Sequence, residues 1–461
     1  MSVEQGSKVG SSSTDSARWI AGVPISRREA MRCGLCGAAG LLLADGLAPG
    51  ARAALTPRKA KARAVVQILL GGGPPHLDTF DPKPDAGHDY CGPLGNPIAT
   101  NVPGIRIGEL LPLLARQADK YSLIRSMTHG NDGHETAAYL VQTGRLPDGK
   151  LVYPAVGAVV SLFRGYDAGY KGLVPPYIVV TQPQGRFSEA GFLGSRYKPF
   201  ATGGDPGAAQ FAVEGIVAAG ITYERQKGRR KLLDDLNTLQ HAAQGDPQLA
   251  ASKEAEQRAY DLILGDEGKV FDLTKEKDKV RLQYGRTTFG QSCLLARRLV
   301  ERGFPYITIN SGGWDTHKQH FQAMRQKLPD LDAGLASLLA ELSERGLLES
   351  TIVWCCGEFG RTPKVSWEPP WEGGRHHYGR VFSVLVAGGG FKGGRVVGAS
   401  DAKGETVKER PVYPCDLIGS IYELLGIDPD GTLPHPQGLV VRTTPSAAEG
   451  VPTGGRLREI M

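Results

Sequence analysis

The sequence predicts an α/β protein with a mostly parallel sheet flanked by helices on both faces. Two observations carry this. Six short, near-continuous apolar runs recur along the chain, and stretches of helical texture separate them. Strands that are apolar on both faces belong to a sheet covered on both sides, and long crossovers between them suit parallel pairing. The length, 461 residues, accommodates one large α/β domain or two smaller ones.

The first run, "AVVQILL" (64–70), is apolar and β-branched and ends in "GGGPPHLDTFDPKP" (71–84), which presents His76, Asp78 and Asp81. In open α/β sheets ligands bind in the crevice outside the carboxyl ends of strands, so this segment is a candidate half-site. The second run, "YSLIRSM" (121–127), leads into a segment carrying His129, Asp132, His134 and Glu135. "PYIVVT" (176–181) reads as the third strand. From 221 to 302 the texture turns charged and helix-periodic, as in "ERQKGRRKLLDDLNTLQ", and is expected to form a helical insert. "FPYITIN" (304–310) then runs into "SGGWDTHKQHF" with Asp315, His317 and His320. "TIVWCC" (351–356) runs into "GEFGRTPK" with Glu358 and Arg361. "EGGRHHYGR", carrying His376 and His377, precedes the last strand, "FSVLVAG" (382–388).

Charge and targeting signals divide the chain further. Residues 1–53 hold six Lys/Arg against four Asp/Glu, and residues 54–64 add four basic residues with no acid, which leaves 65–461 neutral. No basic stripe for nucleic acid is indicated. "SRREAM" (26–31), the twelve-residue apolar stretch "CGLCGAAGLLLA" and "ARA" (51–53) together read as a twin-arginine signal peptide over 1–53. The alternative is a disordered tail with a chance Arg-Arg pair. A basic linker (54–63), the main domain (64–445) and a C-terminal tail (446–461) follow, and a periplasmic or cell-surface location is expected. No later stretch is apolar enough to span a bilayer. Five scattered cysteines remain after the signal, an odd number that does not read as a disulfide framework.

Most of the ten histidines fall in the segments next to strands. Imidazoles with carboxylates and without cysteines suit Zn²⁺, Mn²⁺ or Mg²⁺ at a hydrolytic site. Each piece also has a simpler use. Asp315 could N-cap a helix beginning at Thr316. Asp81 before Pro82 is a turn-former, and His129 and His320 suit packing or solvent exposure equally well. Neighbours on a strand point to opposite faces, so one of His376 and His377 at most is expected to reach a shared site. "GGGFKG" (388–393) fits a dinucleotide motif, but it runs into turn-rich sequence rather than a helix and is set aside.

"GGGPPHLDTFDPKP", "GGWDTH", "GEFGRTPK" and "AGGGFKGGRVVGASD" resemble the signature of a bacterial family of unknown function (number fifteen-oh-one) over most of 64–440. That family is grouped with the alkaline phosphatase and sulfatase superfamily. "VYPCDLIGSIYELLGID" (412–428) resembles the helix closing the sulfatase catalytic domain, and "AAYLVQTGR" (137–145) the helix after the sulfatase nucleophile.

The resemblance implies metal ligands at Asp78, Asp315, His317, Glu358 and one of His376 and His377, for one or two divalent ions among Zn, Mn, Mg and Ca. It places His134 in the nucleophile slot, where it would act as nucleophile or general acid, and Phe359 where the superfamily has a histidine. Both positions depart from the standard covalent mechanism. Arg361 or Arg145 would clamp the anion. The implied function is an exported metal-dependent hydrolase of sulfate or phosphate esters, with a sulfated polysaccharide among the candidate substrates. The alternative is a non-catalytic periplasmic or cell-surface binding protein on a degenerate phosphatase-like fold.

Overall fold

The computed structural model describes residues 58–183, 189–209 and 268–461, with isolated positions between 211 and 228. Two short strands, Trp19–Ile20 and Val23–Pro24, pair antiparallel within a separate N-terminal unit. The remainder of the expected signal peptide, and the expected helical insert up to residue 267 apart from those isolated positions, lie outside the described residues.

Eight strands form one sheet. In chain order they are β1 (Ala64–Leu70), β2 (Tyr121–Met127), β3 (Tyr177–Val180), β4 (Phe200–Ala201), β5 (Tyr306–Ser311), β6 (Thr351–Cys356), β7 (Phe382–Ala387) and β8 (Arg395–Val397). Their order across the sheet is β8-β2-β7-β6-β1-β5-β3-β4. All pairings are parallel except those of β7, which runs antiparallel to both neighbours. β1 is buried at all seven positions, as its unbroken apolar run requires.

The pleat of β1 divides its side chains between two layers. Val66, Ile68 and Leu70 join one core with Leu294, Leu295 and Leu299 of α3 (Thr288–Glu301) and Leu331, Leu335 and Leu338 of α4 (His320–Glu344). On the alternate positions Gln67, wholly buried, donates to Gln142 of α1 (His134–Thr143) at 3.2 Å and accepts from the hydroxyls of Tyr306 and Thr308. A buried amide is tolerated because its polar atoms have partners. α1 ends at Gly144 in the left-handed conformation, precedes α2 (Val156–Arg164) and packs on α5 (Pro414–Leu424), the expected closing helix.

Two peripheral segments, expected as a linker and a tail, are packed against the domain, and a third follows its expected turn-rich course. Residues 58–63 are docked, with Lys61 and Ala62 donating to the Leu424 carbonyl and Arg63 to Ser350. The tail is packed, with Leu457 and Ile460 buried and Asp416 accepting from the Gly454 and Gly455 amides. "GGGFKG" makes a Gly388–Phe391 bridge and enters β8 rather than a helix. Cys91, Cys293, Cys355, Cys356 and Cys415 are free thiols. Among the described residues no helix is long and apolar enough to cross a membrane.

Candidate metal centre

β5, β1 and β6 lie side by side and end at one level, Leu70 opposite Ser311 and Leu69 opposite Cys356. Their carboxyl ends therefore release three loops into one crevice: 71–75, 312–317 and 357–361. The glycines of the first loop let the other two approach. At Gly72 (φ +114°) a Cβ would overlap the Asp315 backbone nitrogen, and at Gly73 it would lie 2.6 Å from the Phe359 ring. Only glycine meets both demands. The Gly72 amide in turn donates to both Glu358 oxygens, at 2.9 and 3.1 Å.

Arg361 ties the loops from beneath. Its buried guanidinium donates to the carbonyls of Gly72, Gly73 and Arg375 and to Asp315 Oδ1. A two-residue ladder, Gly360–Arg361 with His377–Tyr378, brings in the histidine pair. His134, the first residue of α1, closes the cluster.

Protons on the imidazoles follow from their fixed partners. His134 Nδ1 lies 2.7 Å from Glu358 Oε1, and His377 Nδ1 lies 2.8 Å from the Asp132 carbonyl oxygen. Both partners are acceptors, so each Nδ1 is the donor and each neutral ring keeps its lone pair on Nε2. Those two Nε2 atoms converge on one carboxylate: His134 Nε2 is 3.3 Å from Asp315 Oδ2, and His377 Nε2 is 3.0 Å from Asp315 Oδ1. His317 Nε2 stands 2.9 Å from both His377 Nε2 and Asp315 Oδ1. Its Nδ1 meets His376 Nδ1 at 2.9 Å, and His376 Nε2 is 3.2 Å from Ser366 Oγ. Lone pairs aimed at one another repel unless a proton or a cation lies between them.

This donor set fits a divalent cation. His134, Asp315 and His377 each offer a ligand atom within 4.8 Å of the others. Donors of a tetrahedral site with bonds of about 2.0–2.1 Å stand about 3.3 Å apart, comparable to the spacings here. Imidazoles whose other nitrogen donates to a carboxylate or a backbone carbonyl are the usual arrangement of metal-binding histidines.

The electrostatics agree. Burial would raise the Asp315 carboxyl, but the hydrogen bond and charge of Arg361, aided by His377 and His317, hold it well below the usual carboxylate range. The hydrogen bond to Glu358 lifts His134 above an ordinary histidine despite some burial. Burial lowers His317 against the pull of Asp315, which favours its neutral, ligand-competent form. Phe359 walls the cluster, stacked on His377 at 4.6 Å and tilted against His134 at 5.0 Å.

The structure thus gathers His134, Asp315, His317, Glu358, Arg361, His376 and His377. Both members of the histidine pair contact the His317 ring, at its opposite nitrogens, and of the two it is His377 that presents a nitrogen to Asp315. Asp315 is no helix cap, since α4 starts only at His320.

Asp78 is not brought to the cluster. It is buried with His320 Nε2 at 2.9 Å and Arg375 Nε at 3.1 Å. Arg145 also lies elsewhere, bound to Glu449 and the Arg442 carbonyl, and Arg361 has its donors engaged within the protein, so neither stands as an anion clamp. Asp81 is more than a turn residue, buried against Lys83 at 3.0 Å and Arg125 at 3.4 Å. His129 bridges the Glu358 carbonyl and the Asn131 amide. The Gly72 amide and the Asp132 carbonyl escape a side-chain search. The glycine triplet is the only trace of the first, and the second leaves none.

A family model of proteins of unknown function, DUF1501, matches residues 62–452. The chain belongs to the DUF1501 family. The matched range spans the sheet and every residue of the cluster. No curated protein matches this DUF1501 chain. Among solved structures it is similar to the lipoteichoic acid synthase LtaP from Listeria monocytogenes, at 9% identity over 84% of this chain and 75% of that one, TM-score 0.39. It is similar to a protein of the alkaline phosphatase superfamily from Vibrio parahaemolyticus, at 10% identity over 83% and 72%, TM-score 0.37. It is also similar to the sulfatase PsFucS1 from Pseudoalteromonas sp., at 15% identity over 87% and 72%, TM-score 0.34.

Proposed function

We propose that this DUF1501 protein is an exported, metal-dependent hydrolase of phosphate or sulfate esters, its cation held by His134, Asp315, His377 and His317. The observation that carries the reading is the convergence of the His134 and His377 Nε2 lone pairs on Asp315, each ring oriented by a hydrogen bond at Nδ1. A divalent ion supplies Lewis acidity toward ester oxygens and the attacking oxygen. Arg361 keeps Asp315 ionised and aimed. Glu358, fixed by the Gly72 amide, orients His134. In this role His134 is a ligand rather than the nucleophile.

Ser366, His376 and His317 form a hydrogen-bonded row that can carry a proton away from the centre when a cation takes its place. A sulfated polysaccharide is the substrate class that the sequence resemblance suggests, and Arg27 and Arg28 are the residues that suggest export.

A second reading, a non-catalytic binding protein, is supported by the engagement of both arginines expected to hold the anion. Metal content and turnover separate the two. Purified mature protein is reconstituted with Zn²⁺, Mn²⁺ or Mg²⁺, dialysed, and assayed by elemental analysis and with chromogenic phosphate and sulfate esters. The hydrolase reading requires retained metal and turnover, both lost in Asp315→Ala. Retained metal with no turnover on any ester would favour the binding protein, and absence of metal would sink the metal centre itself.

A further inference from the structure

We propose that Asp78, His320 and Thr316 form a buried positioning relay that aims Asp315 and His317 at the cation, an inference that rests on the metal centre proposed above. Thr316 lies between those two residues. Asp315 and His317 turn to the open side, whereas Thr316 is buried and faces inward. Its Oγ1 is 2.6 Å from His320 Nδ1, and His320 Nε2 is 2.9 Å from Asp78 Oδ2. Asp78 also pairs with Arg375 Nε at 3.1 Å, and the Arg375 backbone amide donates to the Thr316 carbonyl at 3.1 Å.

These contacts close a ring: Asp78, His320, Thr316, Arg375 and back to Asp78. It joins the loop after β1, the start of α4, the loop bearing Asp315 and His317, and the residue preceding His376. Every member is less than a tenth exposed. Each polar group in such a ring is costly to leave unpaired, so the ring has one low-energy arrangement. Thr316 is held in it at its hydroxyl and at its carbonyl.

The hydroxyl–imidazole–carboxylate order matches that of an activated nucleophile. The placement does not. Thr316 Oγ1 points to His320, which is wholly buried, and away from the crevice where Asp315 and His317 are exposed. A hydroxyl facing the interior cannot attack a substrate in the crevice. Its work is to fix the backbone between two ligands. The sequence resemblance makes Asp78 a ligand; here it acts on the cation at one remove.

The test is zinc affinity measured by chelator competition on full-length mature protein, alongside thermal unfolding of the metal-free forms. Thr316→Val keeps the shape and removes the hydroxyl. Its zinc dissociation constant should rise about 10- to 100-fold, the range for lost outer partners of metal ligands. Thr316→Ser, which restores the hydroxyl, should return it to within about threefold of wild type. His320→Gln keeps a donor toward Asp78 but not the link to Thr316, and should weaken zinc as Thr316→Val does, which serves if the valine variant proves too unstable. A purely structural role would lower the melting temperature and leave the affinity of the folded protein unchanged. Wild-type affinity in Thr316→Val and His320→Gln would overturn the relay with the metal centre intact. A wild-type protein that binds no zinc would overturn both.

Discussion

Glu358 holds His134 at 2.7 Å while its own carboxylate is gripped by the backbone amide of Gly72, at 2.9 and 3.1 Å. An acid from the end of one strand and an amide from the end of its neighbour thus fix the direction of an imidazole that begins a helix. The ring is placed by partners far away in sequence rather than by its own helix, and that dependence can be tested.

Glu358→Gln should weaken zinc binding by about 10- to 100-fold, since the His134 ring loses its charged orienting partner. The pH dependence should change with it. The Glu358 hydrogen bond raises His134, so in the metal-free protein that ring takes up its proton at a higher pH than an ordinary histidine. Proton and cation compete for the ring, and zinc affinity should fall as pH drops through that raised value. In Glu358→Gln the fall should move to lower pH. Zinc titrations between pH 5 and 8 check both statements.

Arg361→Ala should destabilise the whole domain rather than merely weaken substrate binding. The variant orphans the carbonyls of Gly72, Gly73 and Arg375 as well as freeing Asp315. A buried acceptor left without a partner costs about 1–3 kcal/mol, so the loss should reach at least about 3 kcal/mol in denaturant titration. An anion clamp would instead show normal stability and a raised KM.

Gly72→Ala should be among the most damaging single-methyl changes in the protein. It combines a left-handed φ with overlap on the Asp315 backbone. Strain of this kind costs about 1–3 kcal/mol before the clash is counted. Relief requires the 312–317 loop to move, so metal retention should fall together with the melting temperature.

Replacement of Arg27 and Arg28 by lysine tests export. Twin-arginine recognition should fail, and unprocessed precursor should accumulate in the cytoplasm, as read by cell fractionation. Undiminished periplasmic yield would remove the twin-arginine route from the proposal.

The fold was largely legible because strands buried on both faces write themselves as uninterrupted apolar runs. The structure places strands in all six runs, with ends moved by up to two residues. β4 and β8 were not legible, since Phe200–Ala201 and Arg395–Val397 are too short to show a pattern. Of the histidines and carboxylates visible near strand ends in the sequence, the structure brings Asp315, His317, Glu358 and His376–His377 into one crevice. The resemblance implies Asp78 as a ligand, but the chain turns back there and buries it against Arg375, a partner 297 residues away. Such a partner has no local signature.

The order in which the chain is made bears on where the centre can be filled. The Gly72–Glu358 contact bridges 286 positions and the His377–Asp132 contact 245. Contacts of that separation form late, because long loops must close before any enthalpy is recovered. β1 leaves the ribosome early yet waits for β5 and β6 on either side, and the His134 ring waits for Glu358. The proposed amino-terminal export signal is therefore synthesised long before a cation has anywhere to sit. On the route proposed for this protein, which carries folded cargo, the signal must be ignored until synthesis has passed His377. The ion would then be taken from the cytoplasmic pool, and its identity set by which divalent metal is free there during folding.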